Sequence, residues 1–144
     1  MVNKEGQEKK FEFLEHTADI KFRAYGETIN NLFESCVLAF SSFVSRGKKI
    51  DSKKGKVISV HGNDYESLLY NFVDELIYLL DTGFVVSKAK IELRGFNLKA
   101  ELYGDDIKKY NLEGVKAATY AEMHVKKIKL KGKDIWEAQM VLDV

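Results

Sequence analysis

The stretch His16-Thr17-Ala18-Asp19-Ile20-Lys21-Phe22-Arg23-Ala24-Tyr25-Gly26 places a polar turn before the clearest strand pattern in the chain. From Ile20 onward, apolar and polar residues alternate with the period of two that is typical of a strand with one buried face. Asp19 therefore lies where the strand begins, at a rigid edge that can direct a carboxylate. Because Asp is also common in turns, the simpler interpretation is that Asp19 only marks the end of the strand or makes a hydrogen bond within a turn.

The length and composition indicate one globular domain. The chain has 144 residues, of which 45% are hydrophobic and 31% charged, a balance unlike that of disordered or membrane proteins. No apolar run approaches the ~18 residues of a membrane span. Residues 1–10 are polar and lack the apolar segment of a secretion signal, so we expect a flexible N-terminal arm. The net charge of +1 argues against wholesale binding of polyanions.

Cysteine usage points to a reducing compartment. Cys36 is the only cysteine, so no internal disulfide can form. It lies in an apolar helical pattern, which favours a buried and unreactive thiol. We therefore expect a cytoplasmic location.

Apolar residues at helical spacing predict two amphipathic helices. Thr28 supplies an N-cap oxygen for the first, which begins at Ile29 and ends near residues 45–47. Asn63, with Glu66 three residues later, predicts a capping box for the second. This second helix carries a leucine-rich face and stops at residues 81–83.

Alternating patterns predict seven short strands, and residues 104–114 are predicted to be irregular. No repeated alternation of strand and helix indicates a doubly wound parallel sheet. We predict an α+β fold in which two amphipathic helices pack on a largely antiparallel or mixed β-sheet, as a single domain over residues 11–144. The predicted strands are 11–14, 20–25, 56–61, 89–94, 97–103, 124–130 and 135–142.

Carboxylates are the best candidates for chemistry. Asp19 precedes one strand and Asp143 closes the last one, next to Val144, whose carboxylate ends the sequence. If the last strand is central and adjacent to the second, both acids converge at one sheet edge. Such oxygen ligands suit calcium or magnesium better than zinc. The three histidines (His16, His61 and His124) lack zinc-motif spacing, and we assign no catalytic residue.

A basic hairpin has two interpretations. Lysines 126, 127, 129, 131 and 133 cluster in it. A solvated face or a charged edge that prevents strand addition explains them. The alternative is a docking surface for an acidic protein or for RNA. This lysine face has no interleaved aromatic residues, so it does not predict a platform for base stacking.

Several motifs, in order, resemble the archease family. They are His16-Thr17-Ala18-Asp19 before an alternating strand, the leucine-rich helix after Asn63-Asp64, the segment Val115-Lys116-Ala117-Ala118-Thr119-Tyr120, and the terminal Leu142-Asp143-Val144. The similarity runs from about Phe13 to the C-terminus, nearly the whole chain.

The resemblance implies a non-catalytic accessory protein of the tRNA-splicing RNA ligase. That enzyme depends on GTP and metal, and joins ends bearing a 2′,3′-cyclic phosphate or a 3′-phosphate. The implied role is promotion of ligase guanylylation and multiple turnover, with broader nucleotide use by the ligase in some members. The partner is thus the ligase, with RNA contacted only indirectly and no membrane.

The resemblance also implies a cation site. Asp19 and Asp143 would bind a divalent cation, usually calcium, with Val144 as a neighbouring ligand, and magnesium is the alternative. The functionally important lysine of the family corresponds to Lys116. The chain departs from the family at Lys21, where Gly is frequent, and at Ala121, where His is frequent.

Two other functions are compatible with the sequence. One is a chaperone or specificity modulator of a tRNA-modifying enzyme, such as a tRNA cytosine methyltransferase, which needs no metal. The other is a metal-dependent hydrolase using Asp19 and Asp143, although the sequence shows no evident base or nucleophile.

Overall fold

The computed structural model describes residues 9–16 and 18–144. Thr17 and nearly all of the N-terminal arm predicted for residues 1–10 lie outside the described residues. In the described part, seven strands, two α-helices and one 3-10 turn follow in this order: β1 (Phe11–Leu14), β2 (Ile20–Gly26), α1 (Ile29–Val44), β3 (Lys54–His61), α2 (Tyr65–Asp81), β4 (Phe84–Arg94), β5 (Asn97–Asp106), the 3-10 turn (Ile107–Lys109), β6 (Ala117–Leu130) and β7 (Lys133–Asp143).

The strands of the described residues form two sheets rather than one. One sheet has the order β1-β2-β7-β6 and the other β3-β5-β4, and all pairs are antiparallel. The predicted α+β class is confirmed. β7 lies between β2 and β6, as the convergence of Asp19 and Asp143 requires.

Side chains of α1 cover the edge of β4. Ile91 N donates to Glu34 Oε2 at 2.9 Å, and Leu93 N donates to Asn30 Oδ1 at 2.9 Å. A strand whose outer amides are already bonded cannot extend the sheet by pairing. This contact explains why the second sheet ends at β4.

The core lies between the helices and the two sheets. Phe33 of α1 and Phe72 of α2 are fully buried, and their ring centroids are 6.3 Å apart. Cys36 is fully buried, as predicted, and burial raises the pKa of its thiol, which disfavours the reactive thiolate. In the described residues, no helix combines the length and apolar character needed to cross a membrane.

Both helices have the predicted type of N-cap, but the predicted cap of α2 is one residue too early. Thr28 Oγ1 accepts from Asn31 N at 3.1 Å, as predicted. The cap of α2 is Asp64, not Asn63, and its capping box closes through Ser67, not Glu66. Asp64 Oδ1 accepts from Ser67 N at 2.7 Å, and this bond lowers the pKa of Asp64. The Ser67 hydroxyl accepts from the amides of both residues 63 and 64, which favours the later cap.

Six of the seven strands are longer than their patterns indicate, and β4 begins at Phe84 rather than at residue 89. Residues 104–106, predicted to be irregular, belong to β5. These residues do not alternate between apolar and polar types. Gly104 packs on the backbone of Val85, and Asp105 is a buried polar residue whose carboxylate is hydrogen-bonded. β6 begins at Ala117, and its residues 120–123 form a bulge opposite Met140 alone. A bulge of this kind hides the period of two.

Replacing Gly26 by alanine is expected to destabilise the protein by about 1–3 kcal/mol or more. A Cβ at Gly26 would lie 2.3 Å from Leu32 N, so the start of α1 would have to move. Gly55→Ala is the matched control, because its Cβ would meet only Leu102 O at 3.7 Å. Urea unfolding measures both, and equal stabilities would contradict the close packing of β2 on α1.

Candidate metal site

The sheet register brings the predicted site residues together at one end of the four-stranded sheet. Ile20, the first residue of β2, pairs with Leu142, so Asp19 and Asp143 each lie one residue beyond this pair at the same end of the sheet. On the other side of β7, Ala117 pairs with Asp143. Lys116 N donates to Asp143 O at 2.8 Å. Val144 follows directly.

Both carboxylates are free to bind a ligand. The Asp19 side chain is 35% exposed, and among the described residues its one ionic neighbour is His16, with 3.9 Å between Nδ1 and Asp19 Oδ2. That distance is too long for a hydrogen bond. Asp143 is exposed, and its carboxylate makes no hydrogen bond or ion pair with any described residue.

The donor set fits a hard cation. Two carboxylates supply the anionic oxygens that calcium and magnesium prefer, and a main-chain oxygen of Val144 can add a third donor. In residues 9–16 and 18–144, no group of three or more His, Cys, Asp and Glu side chains could hold a metal. Main-chain oxygens and water would therefore complete the coordination.

Main-chain hydrogen bonds fix the position of Lys116 and of the loop before it. Val115 is buried, Lys116 is exposed, and the ammonium makes no ion pair within the described residues. The preceding loop is tied to α1, because Glu113 N donates to Val44 O at 2.8 Å. The lysine is thus presented to solvent next to Asp143.

A buried carboxylate stabilises the segment that leads to this loop. The Asp105 side chain is fully buried and accepts from Asp106 N and Tyr110 Oη at 2.8 Å and from Lys109 Nζ at 3.1 Å. Burial acts to raise the pKa of Asp105, but these hydrogen bonds outweigh it and hold that pKa below its usual value.

Asp105→Asn is therefore expected to lower the melting temperature at neutral pH and to lower it less in acid. A carboxyl with a depressed pKa in the folded state contributes stability above its unfolded-state pKa of about 3.9 and loses it as pH falls through the folded-state value. Thermal unfolding of both proteins at pH 7 and near pH 3 measures this. A gap that stays constant across this range would contradict the account.

Sequence reasoning missed Glu122, which lies in the bulge of β6. Glu122 Oε2 is 2.9 Å from His16 Nε2, and Glu122 Oε1 accepts from Lys21 Nζ at 3.1 Å. The hydrogen bonds from Lys21 and His16 lower the pKa of Glu122. The one signal in the sequence was the departure from the family at Lys21, which now has an ionic partner.

The remaining histidines and the basic hairpin have partners other than Asp19 and Asp143. His61 on β3 contacts Asn97, and His124 on β6 contacts Glu137, as ordinary strand residues do. In the hairpin, Lys129 pairs with Asp134, Lys133 pairs with Glu27, and Lys127 lies over the ring of Trp136. These contacts favour the charged, solvated face over a docking surface.

Comparison with known proteins identifies the family. The profile of the Archease protein family (MTH1598/TM1083) matches residues 11–144. The chain belongs to the archease family. It is 38% identical to "Protein archease" of Pyrococcus abyssi and 40% identical to that of Pyrococcus furiosus, and each alignment covers 94% of this chain and 99% of the relative.

Solved structures share the fold. The solution structure of protein 1598 from Methanobacterium thermoautotrophicum superposes with a TM-score of 0.74 at 29% identity, covering 94% of this chain and 99% of that one. An archease of Thermotoga maritima, described as a possible chaperone, superposes with a TM-score of 0.62 at 22% identity, covering 91% and 94%.

Proposed function

We propose that this chain is a non-catalytic accessory protein that activates the tRNA-splicing RNA ligase by promoting its guanylylation and multiple turnover. The observation that supports the proposal is the register of β2, β7 and β6: Asp19 directly precedes β2, Lys116 directly precedes β6 and Asp143 ends β7, all at the same end of the sheet. Membership of the archease family supports the choice of partner.

The proposed site combines a cation with a phosphate contact. Asp19, Asp143 and a main-chain oxygen of Val144 would hold a divalent cation, with calcium the first choice and magnesium the second. When bound, the cation would offset the repulsion between the two carboxylates and supply positive charge. The exposed ammonium of Lys116 would contact a phosphate of the ligase-bound nucleotide as a point charge.

Replacing Lys116 by alanine tests the phosphate contact. A lost charge-assisted contact of about 1.5–3 kcal/mol corresponds to a reduction of roughly 10- to 100-fold in the stimulation of ligase guanylylation. Lys90→Ala, at an exposed lysine of the other sheet, is the matched control. Guanylylated ligase and ligated RNA per enzyme are measured with the cognate ligase. Full stimulation by Lys116→Ala would remove this lysine from the mechanism.

A variant of the proposed cation site separates the ligase role from the chaperone or modulator of a tRNA-modifying enzyme. Because the ligase itself needs metal, its metal stays present throughout, and the ligase role predicts that wild type stimulates the ligase whereas Asp19→Ala does not. An effect on a tRNA cytosine methyltransferase that persists in Asp19→Ala, without any effect on the ligase, would favour the alternative.

A further inference from the structure

We propose that Glu122 is a positioning residue for the cation site. By binding His16 and Lys21, its carboxylate fixes the segment on either side of Asp19. This inference rests on the proposed cation site. It assigns a role to a residue that lies outside the predicted ligand set and is not close to Asp19 in sequence.

The two oxygens of Glu122 bind residues on both sides of Asp19. Oε2 lies 2.9 Å from His16 Nε2, three residues before Asp19, and Oε1 accepts from Lys21, two residues after it. The other ring nitrogen of His16 faces the Asp19 carboxylate at 3.9 Å. Glu122 thus binds residues on both sides of Asp19 and places the imidazole of His16 next to the Asp19 carboxylate, a role comparable to that of the outer carboxylates that orient metal ligands.

Glu122 is itself anchored to the strand that carries Asp143. Its backbone oxygen accepts from Gln139 Nε2 at 2.7 Å, and Gln139 Oε1 accepts from Arg23 Nε at 2.8 Å. Gln139 lies on β7, four residues before Asp143. The bulge therefore relates the Asp19 turn to the Asp143 strand through a continuous series of hydrogen bonds.

Backbone conformation marks the same two places. In the described residues, four non-glycine residues have positive φ, and two of them are Ala18 at 67° and Glu122 at 54°. The left-handed region costs a non-glycine residue roughly 1–2 kcal/mol. One such residue adjoins Asp19 and the other is Glu122, while the remaining two, Arg46 and Lys131, lie elsewhere in the chain.

Charge gives Glu122 a second effect. Lys21 is two residues from Asp19, and its ammonium would repel a cation bound there. The Glu122 carboxylate pairs with this ammonium at 3.1 Å, which offsets the repulsion within the range that salt leaves unscreened. Removing Glu122 should weaken cation binding both by freeing the turn and by exposing the charge of Lys21.

Calcium titration of the full chain by calorimetry tests the proposal without the ligase. Glu122→Ala and His16→Ala should each weaken calcium binding by roughly 10- to 100-fold. The double variant should bind no more weakly than the weaker single variant, because both changes break one pathway. Glu92→Ala, which removes an exposed glutamate paired with Arg94 on the other sheet, should leave affinity unchanged.

Melting temperatures in EDTA separate positioning from general stability. Positioning predicts that Glu122→Ala weakens calcium binding far more than Glu92→Ala even where the two melt alike in EDTA. If Glu122→Ala does not fold, Glu122→Gln replaces it, since this change keeps the shape and removes the charge. Affinity equal to that of the Glu92→Ala control, or full additivity of the two single changes, would overturn the proposal.

Asp19→Ala distinguishes this failure from failure of the cation site. If wild type binds no calcium, or if Asp19→Ala binds it equally well, the proposed site is wrong and Glu122 has nothing to position. If Asp19→Ala loses calcium while Glu122→Ala keeps it, the site stands and only the role of Glu122 is refuted.

Discussion

Replacing either Asp19 or Asp143 by alanine is expected to abolish stimulation of a cognate ligase while the fold survives. Each change removes one of the two carboxylates that would hold the cation, so calcium affinity should fall by at least about 100-fold, the upper end of the effect of a second-layer residue. Neither carboxylate bonds to a described donor at hydrogen-bond distance, so stability should change little. Guanylylated ligase, multiple-turnover ligation and circular dichroism measure these effects.

Asp74→Ala is the matched control for this experiment. Asp74 is an exposed acid on α2 and belongs neither to the four-stranded sheet nor to the proposed ligand set. The control should stimulate the ligase as wild type does. Full stimulation by both Asp19→Ala and Asp143→Ala would refute the proposed function.

Phe72→Ala is expected to cost about 3–5 kcal/mol of the free energy of unfolding. Phe72 is fully buried and its ring lies against Phe33, so truncation leaves a cavity where α1 and α2 meet. Tyr78→Ala on the same helix removes a side chain that is 61% exposed and should cost far less. Urea denaturation compares the two, and a cost below about 1 kcal/mol for Phe72→Ala would contradict this core.

The elements that sequence alone predicts well are those whose burial repeats regularly. α1 follows Thr28 with the predicted start because its apolar face and its cap agree. The cap of α2 was misplaced because Asn63 and Asp64 are both good caps, and the Ser67 hydroxyl that decides between them shows no periodicity. The bulge at 120–123 was missed because its residues interrupt the alternation.

The site was predictable only in part for a related reason. Asp19, Asp143 and Lys116 could be named because each lies in a motif that resembles the archease family, and strand order then decides whether they meet. Glu122 could not be found, since its partners His16 and Lys21 are 106 and 101 residues away in sequence. Nor does any local pattern predict that the bulge turns its carboxylate toward them.

A structure determined with calcium is the most direct test of the claim that Asp19 and Asp143 share one divalent cation. We predict a single ion at about 2.3–2.6 Å from an oxygen of each carboxylate, with a main-chain oxygen of Val144 in the same coordination shell. An ion bound elsewhere, or bound to only one of the two aspartates, would contradict the account.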